Sequence, residues 1–173
     1  MSKTLIAYFS HKGNNYVNGN IVNLAVGNTK IAAEKIKSIT GGDLFEIKTV
    51  NPYSEDYKTC VAEAKKDMEE NARPKLTDTV KNMSDYDTIY LGYPNWCKTM
   101  PMGVFTFLES YNFKGKTILP FCTHAGSGAG ESEADIKKLC PDSNVLSTLE
   151  LLGSDIQNSY SDIKNWIDKL NKK

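Results

Sequence analysis

Three short stretches of the chain combine residue types that could hold a ligand, and each follows an apolar run. The first joins Ser10 to Gly27-Asn28-Thr29, hydroxyl and amide side chains where a helix should begin. The free N–H groups and positive dipole end of such a start suit a phosphate, although Asn28 or Thr29 capping the helix gives the same pattern. The second, Tyr93 to Pro101, holds Pro94, Asn95, Trp96 and Cys97. A Trp in a proline-bounded loop offers a flat face of low rotamer cost for stacking on a ring, unless it folds back over the sheet. Cys97 is either a reactive thiol or a small packed residue. The third, Thr123 to Ser132, carries His124, Ser127 and the glycines Gly126, Gly128 and Gly130. Its backbone can pass close to a ligand, and His124 is a candidate base or donor, or a solvated loop histidine. It contains neither G-x-G-x-x-G nor G-x-S-x-G.

Five strands and five helices must position these loops. Thr4–Ser10, Asp87–Pro94 and Lys116–Thr123 are short, nearly unbroken apolar runs, as suits strands covered on both faces. Asp43–Val50 alternates like an edge strand, and Val145–Gly153 is the fifth. Helical spacing marks a helix from about Thr29 to Ile39, ended by Gly41-Gly42, and others at Tyr57–Glu70, Gly103–Glu109, Ser132–Leu139 and Asp155–Lys172. Strand–helix alternation argues for one α/β domain over residues 1–173, a three-layer sandwich around a parallel sheet. Residues 74–83 look like a surface connection. In such sheets ligands sit beyond the carboxyl ends of the strands, so the three loops converge on a site for a flat, phosphorylated molecule.

One segment breaks the pattern. Between the first strand and its helix lies His11-Lys12-Gly13-Asn14-Asn15, then Tyr16-Val17-Asn18-Gly19-Asn20-Ile21-Val22. Asn-Gly between apolar flanks signals a type I′ turn, so residues 14–26 form a hairpin inserted in the loop.

"IAYFS" followed by "GNT", then "LGYPNWCKTMP" and "PFCTHAGSGAGES", in that order, resembles the flavodoxin family, in its flavodoxin-like branch with a lengthened phosphate loop. The resemblance implies a five-stranded parallel sheet in the order 2-1-3-4-5 and one noncovalent FMN. It assigns Ser10, Lys12, Gly27, Asn28 and Thr29 to the phosphate end, Pro94, Asn95, Trp96 and Cys97 to the first ring loop, and Thr123, His124, Gly126, Ser127 and Gly128 to the second. The sequence departs from common flavodoxins in its split phosphate loop, in having His124-Ala125 where many relatives place a second aromatic, and in its charge. The 21 basic and 21 acidic residues balance, where carrier flavodoxins are usually strongly acidic.

That balance gives no support to nucleic-acid or membrane-surface binding. The four cysteines form no C-x-x-C pair and, with two histidines, no zinc pattern. They are expected as reduced thiols. The run Leu5 to Phe9 is too short for a signal-peptide core, so a cytoplasmic monomer or weak dimer is expected. Two functions follow from the resemblance: an electron carrier serving a redox partner protein, or an enzyme passing hydride from NAD(P)H through FMN to a quinone or similar acceptor. An α/β binding domain without cofactor is a third.

Overall fold

The computed structural model describes residues 3–172. Its strands are β1 Lys3–Tyr8, β2 Gly13–Val17, β3 Asn20–Leu24, β4 Asp43–Glu46, β5 Tyr86–Pro94, β6 Thr117–His124, β7 Asn144–Val145 and β8 Leu149–Leu152. Its helices are α1 Asn28–Thr40, α2 Tyr57–Glu69, α3 Met102–Glu109, α4 Ser132–Leu139 and α5 Tyr160–Asn171. The central sheet runs β4-β1-β5-β6, all parallel, with β7 and β8 both on the far edge of β6. Taking β7 and β8 as two pieces of one strand, this is the expected order.

Successive residues of the apolar runs serve opposite layers. Leu5, Ala7 and Phe9 join Ile89, Leu91 and Tyr93 in the core under α3 and α4. Ile6 and Tyr8 join Tyr90, Leu119 and Phe121 under α1 and α5. Period-two alternation across a sheet covered on both sides explains why the runs lack polar residues.

Two strands differ from the sequence expectation. The stretch expected as Asp43–Val50 leaves β1 after Glu46, because β1 itself ends: Ile47 makes the last bond, its N–H to the Tyr8 carbonyl at 2.7 Å. The chain then turns to the segment at 74–83, with Thr49 bridging Leu76 and the Val50 N–H on the Lys75 carbonyl at 2.8 Å. That connection is therefore part of the fold's edge. The fifth strand is interrupted because Val145 opposes Ile118 while Leu149 opposes Phe121, four steps against three. At the break, the Glu133 carboxylate takes the Thr148 N–H at 2.9 Å and its hydroxyl at 2.8 Å. Pro120 of β6 faces the same gap. The carbonyls of Lys116 and Ile118 bond toward the fifth strand, so by alternation the missing N–H of Pro120 falls where no ladder bond is needed.

The last helix begins at Tyr160; residues 153–158 form a 3₁₀ turn. The Lys35 ammonium holds the carbonyls of Ile156 and Gln157 there, at 2.7 and 2.8 Å. No helix among the described residues is long and apolar enough to cross a membrane. Cys60, Cys97, Cys122 and Cys140 are all free.

The Glu133 contact generates a pH-dependent prediction. Burial pulls the Glu133 carboxyl up, but the two Thr148 bonds and Lys137 pull it down, and the net shift is downward from 4.5. Its contribution is therefore complete above pH 4.5 and is lost as the pH falls through the lower folded value. Glu133→Ala should lower stability by about 1–2 kcal/mol in neutral urea titrations. The gap from wild type should close as the pH drops below 4.5.

Candidate functional site

At the carboxyl ends of the strands lies a cavity of about 380 Å³. The loop after β5 contributes Pro94, Asn95, Trp96 and Cys97; β6 and its loop contribute Thr123, His124, Ala125 and Ser127. Asn28 and Thr29 come from the start of α1. The described lining contains no lysine, arginine, aspartate or glutamate. An uncharged cleft of this size suits a flat, neutral ring.

Its end at the start of α1 is built by a close approach. Gly27 is the N-cap of α1 with ordinary φ, −66°, so it is not needed for backbone freedom. Space requires it: a Cβ there would lie 2.2 Å from Ser10 Oγ and 2.7 Å from the His11 carbonyl oxygen. The Ser10 hydroxyl accepts the Lys30 N–H at 3.2 Å. Neither Asn28 nor Thr29 caps the helix by its side chain. Instead the buried Thr29 hydroxyl pairs with that of Thr123 at 2.8 Å, tying the helix start to the end of β6. One hydroxyl donates to the other, so the proton of the accepting hydroxyl remains available to a ligand. The N–H groups of Asn28 and Thr29 meet no protein acceptor among the described residues.

The loop after β5 is a tight turn of unusual conformation. Trp96 and Thr99 exchange N–H···O bonds of 2.8 and 3.1 Å, and the two residues between them, Cys97 and Lys98, have φ of 54° and 71°. Non-glycine residues in this region cost about 1–2 kcal/mol each. The start of α4 holds the turn: the Glu131 N–H donates to the Lys98 carbonyl at 2.7 Å, and Thr99 donates its hydroxyl proton to Asp135. Gly130 makes this docking possible, since a Cβ there would sit 2.2 Å from the Lys98 oxygen. Trp96 is half-buried, edge-on to Phe9 at 5.2 Å, Tyr53 at 4.9 Å and His11 at 5.6 Å. It thus packs on the core and lines the cavity at once. Asn95 bridges to the other ring loop through the Gly128 carbonyl at 2.7 Å and Ser127 Oγ at 3.2 Å.

His124 Nδ1 accepts the Gly126 N–H at 2.9 Å. A neutral ring therefore carries its proton on Nε2, as a donor. Burial raises the Cys97 thiol, with Lys65 opposing and Glu69 adding; burial likewise pushes Cys60 up to about 12. Both stay protonated at neutral pH, which favours packing over nucleophilic roles.

Of the candidate residues, Asn28, Thr29, Pro94, Asn95, Trp96, Cys97, Thr123, His124 and Ser127 line this cavity. Ser10, Lys12 and Gly27 line an adjoining one of about 680 Å³, where Lys12 stands 3.9 Å from Glu55. Gly126 and Gly128 shape the second ring loop without lining either. Sequence reasoning missed two contributors. The hairpin brings Asn14, Asn15 and Tyr16, with His11 just before it; α2 brings Tyr57, Cys60, Val61 and Ala64. The α2 set recurs at i, i+3, i+4, i+7, a signal that a helical stripe existed but not what it would face.

The sequence matches the family model for flavodoxin over residues 3–170. Among solved structures it is similar to a protein described as a flavoprotein from Bacteroides eggerthii DSM 20697, with 32% identity, 97% of each chain covered and a TM-score of 0.77. Similarity extends to a like-described protein from Bacteroides uniformis ATCC 8492, with 29% identity, 96% of this chain and 98% of that one covered, and a TM-score of 0.76. A flavoprotein from Lactobacillus acidophilus NCFM, solved in complex with FMN, shares the fold at 22% identity, with 93% of this chain and 99% of that one covered and a TM-score of 0.65. No curated protein matches the sequence.

The clamped turn yields opposite expectations for two glycine changes. Lys98→Gly removes left-handed strain of about 1–2 kcal/mol and adds about 0.5–1 kcal/mol of backbone entropy cost. Urea titration should therefore show a net gain of about 0.5–1 kcal/mol. Gly130→Ala should cost about 1–3 kcal/mol and shift the Trp96 emission, with Trp96→Phe identifying that component.

Proposed function

Because the chain belongs to the flavodoxin family, we propose that it binds FMN and serves as an electron-transfer protein. The observation that carries this reading is the uncharged ring-sized cavity, continuous with a helix start whose first N–H groups have no protein acceptor. Ser10, Gly27, Asn28 and Thr29 would hold the phosphate, by backbone N–H groups and hydroxyls. Trp96, Asn95, Thr123 and His124 would meet the ring, the His124 Nε2–H donating to a ring acceptor. Bound FMN supplies reversible one- and two-electron transfer, and the protein supplies binding, orientation and potential.

The carrier role is supported by the lining: it offers no cation for the pyrophosphate of a dinucleotide seated over the ring. One observation favours the NAD(P)H oxidoreductase as a second reading. Lys12, Lys30 and Lys48 line the adjoining cavity, although Glu55 and Glu46 stand against the first and third, at 3.9 and 3.0 Å. Holoprotein mixed anaerobically with NADPH separates the two. A carrier shows slow or absent loss of oxidised-flavin absorbance; rapid loss followed by turnover with a quinone establishes the oxidoreductase.

The phosphate assignment makes its own prediction. Charge-assisted bonds contribute about 1.5–3 kcal/mol each, so apoprotein should bind FMN at least roughly tenfold more tightly than riboflavin. Gly27→Ala, which drives a methyl group into Ser10, should weaken FMN and leave riboflavin nearly unchanged. Equal affinities of wild type for the two ligands, by calorimetric titration, would rule out this phosphate site.

A further inference from the structure

The inserted hairpin is held in place too closely to be an ornament. Gly13 opens it at φ 91°, and a Cβ there would lie 2.7 Å from the Cβ of Glu55, just ahead of α2. The Asn14 N–H bonds to the Glu55 carbonyl at 2.9 Å, and His11 Nε2 donates to the Ser54 carbonyl at 2.9 Å. The turn at Asn18-Gly19 has both residues at positive φ, 49° and 82°, so the register from Gly13↔Leu24 to Val17↔Asn20 is unbroken.

This register delivers Tyr16 to the cavity. Tyr16 lies beside Tyr57 of α2, ring centroids 6.3 Å apart and planes within 31°, and both rings line the cavity. Tyr16 is nevertheless 47% exposed. An aromatic ring fixed in position, lining a cleft and left half uncovered has apolar surface available to a ligand. The end of β6 and the loop after it bring Thr123, His124, Ala125 and Ser127 to the same cavity, with no large aromatic.

We propose that the hairpin is a flavin-binding element, in which Tyr16, backed by Tyr57, supplies an aromatic wall for the ring in addition to Trp96. The proposal rests on the FMN reading and adds to it a residue and a purpose for the insert. A neutral tricyclic ring is the chemistry that fits: the lining has no charge to recognise an ionic group, whereas aromatic faces recognise flat π-systems of any polarity pattern.

The test compares apoprotein variants in titrations with FMN and with riboflavin. Tyr16→Ser should weaken both ligands by a similar factor, roughly 5- to 100-fold, as stacking on an aromatic is worth in base recognition. Equal losses mark a ring contact, because loss of a phosphate contact spares riboflavin. Tyr16→Phe should restore both affinities. Gly13→Ala, which leaves Tyr16 in the chain but pushes the hairpin off α2, should reproduce the loss, with far-ultraviolet circular dichroism unchanged from wild type. If wild type binds FMN and Tyr16→Ser binds both flavins as tightly, the hairpin proposal falls and the FMN reading stands. A loss confined to FMN likewise overturns the proposal. If wild type binds neither flavin, both readings fall.

Discussion

The carboxyl end of the sheet depends on one steric constraint, the contact of residue 27 with residues 10 and 11. The chain leaves β1 at Ser10 and makes a long excursion through the hairpin. It returns so close to its departure point that no side chain fits at Gly27. Because the ends of the excursion touch, α1 starts where it would start with no insert at all. Lengthening a closed loop costs little, about 0.6 kcal/mol per doubling, and the hairpin satisfies its own backbone through five register pairs. The insert is thus tolerated thermodynamically, and the helix start stays aligned with the ring cavity. The Thr29–Thr123 pair completes that alignment by joining the helix start to the strand that carries the second ring loop.

The start of α4 acts as a second organiser. Its first residues fix the strained turn at Cys97-Lys98 through the Lys98 carbonyl and Thr99, and Ser132 accepts the buried Tyr93 hydroxyl at 2.8 Å. In the same first turn, Glu133 captures Thr148 at the interruption of the fifth strand. The break coincides with Pro120, where β6 has no N–H to give. A single short helix therefore secures both a cavity wall and an irregular sheet edge, using polar contacts where the regular ladder cannot be used.

Much of this was legible in the residue pattern. The apolar runs, the Gly41 stop and the Asn18-Gly19 turn follow from local periodicity and turn chemistry, while the strand order is what the resemblance to the flavodoxin family implies. The convergence of three loops on one sheet end follows from the topology of parallel sheets. What escaped detection was non-local. Nothing in Asp43–Val50 says that β1 will end opposite Glu46, so the edge strand looked longer than it is. Nothing in Val145–Gly153 shows that a carboxylate from another helix will take the Thr148 N–H. The left-handed pair at Cys97-Lys98 is hidden for the same reason: neither residue favours positive φ, and the turn is held by contacts with the start of α4, where Gly130 leaves room for the Lys98 carbonyl from more than thirty positions away. Likewise the α2 stripe and Tyr16 carried a recognisable spacing, but only packing shows that they meet at one cavity.

The electrostatic design of the site follows from these same contacts. The described lining of the cavity has no lysine or arginine; of the lysines lining the adjoining cavity, Lys12 and Lys48 each have a carboxylate partner, and Lys30 stands in the first turn of α1. An anion bound as proposed at the start of α1 would meet oriented N–H groups and hydroxyls, fixed dipoles that carry no net charge, with Lys30 lining the adjoining cavity. Under the proposed reading such a site would recognise an anion largely by geometry, which the closeness of Gly27 to Ser10 sets. With 21 positive and 21 negative side chains overall, the protein also lacks a net field to steer a charged partner from a distance. Under the proposed electron-transfer reading, recognition of a partner would therefore be decided at contact. Among the described lining residues, Tyr16 of the hairpin and Val61 of α2 are exposed apolar side chains, alongside exposed Ala125 and Ser127. On the proposal that Tyr16 meets the flavin ring, the same hairpin side chain, half uncovered, would also be open to an approaching partner.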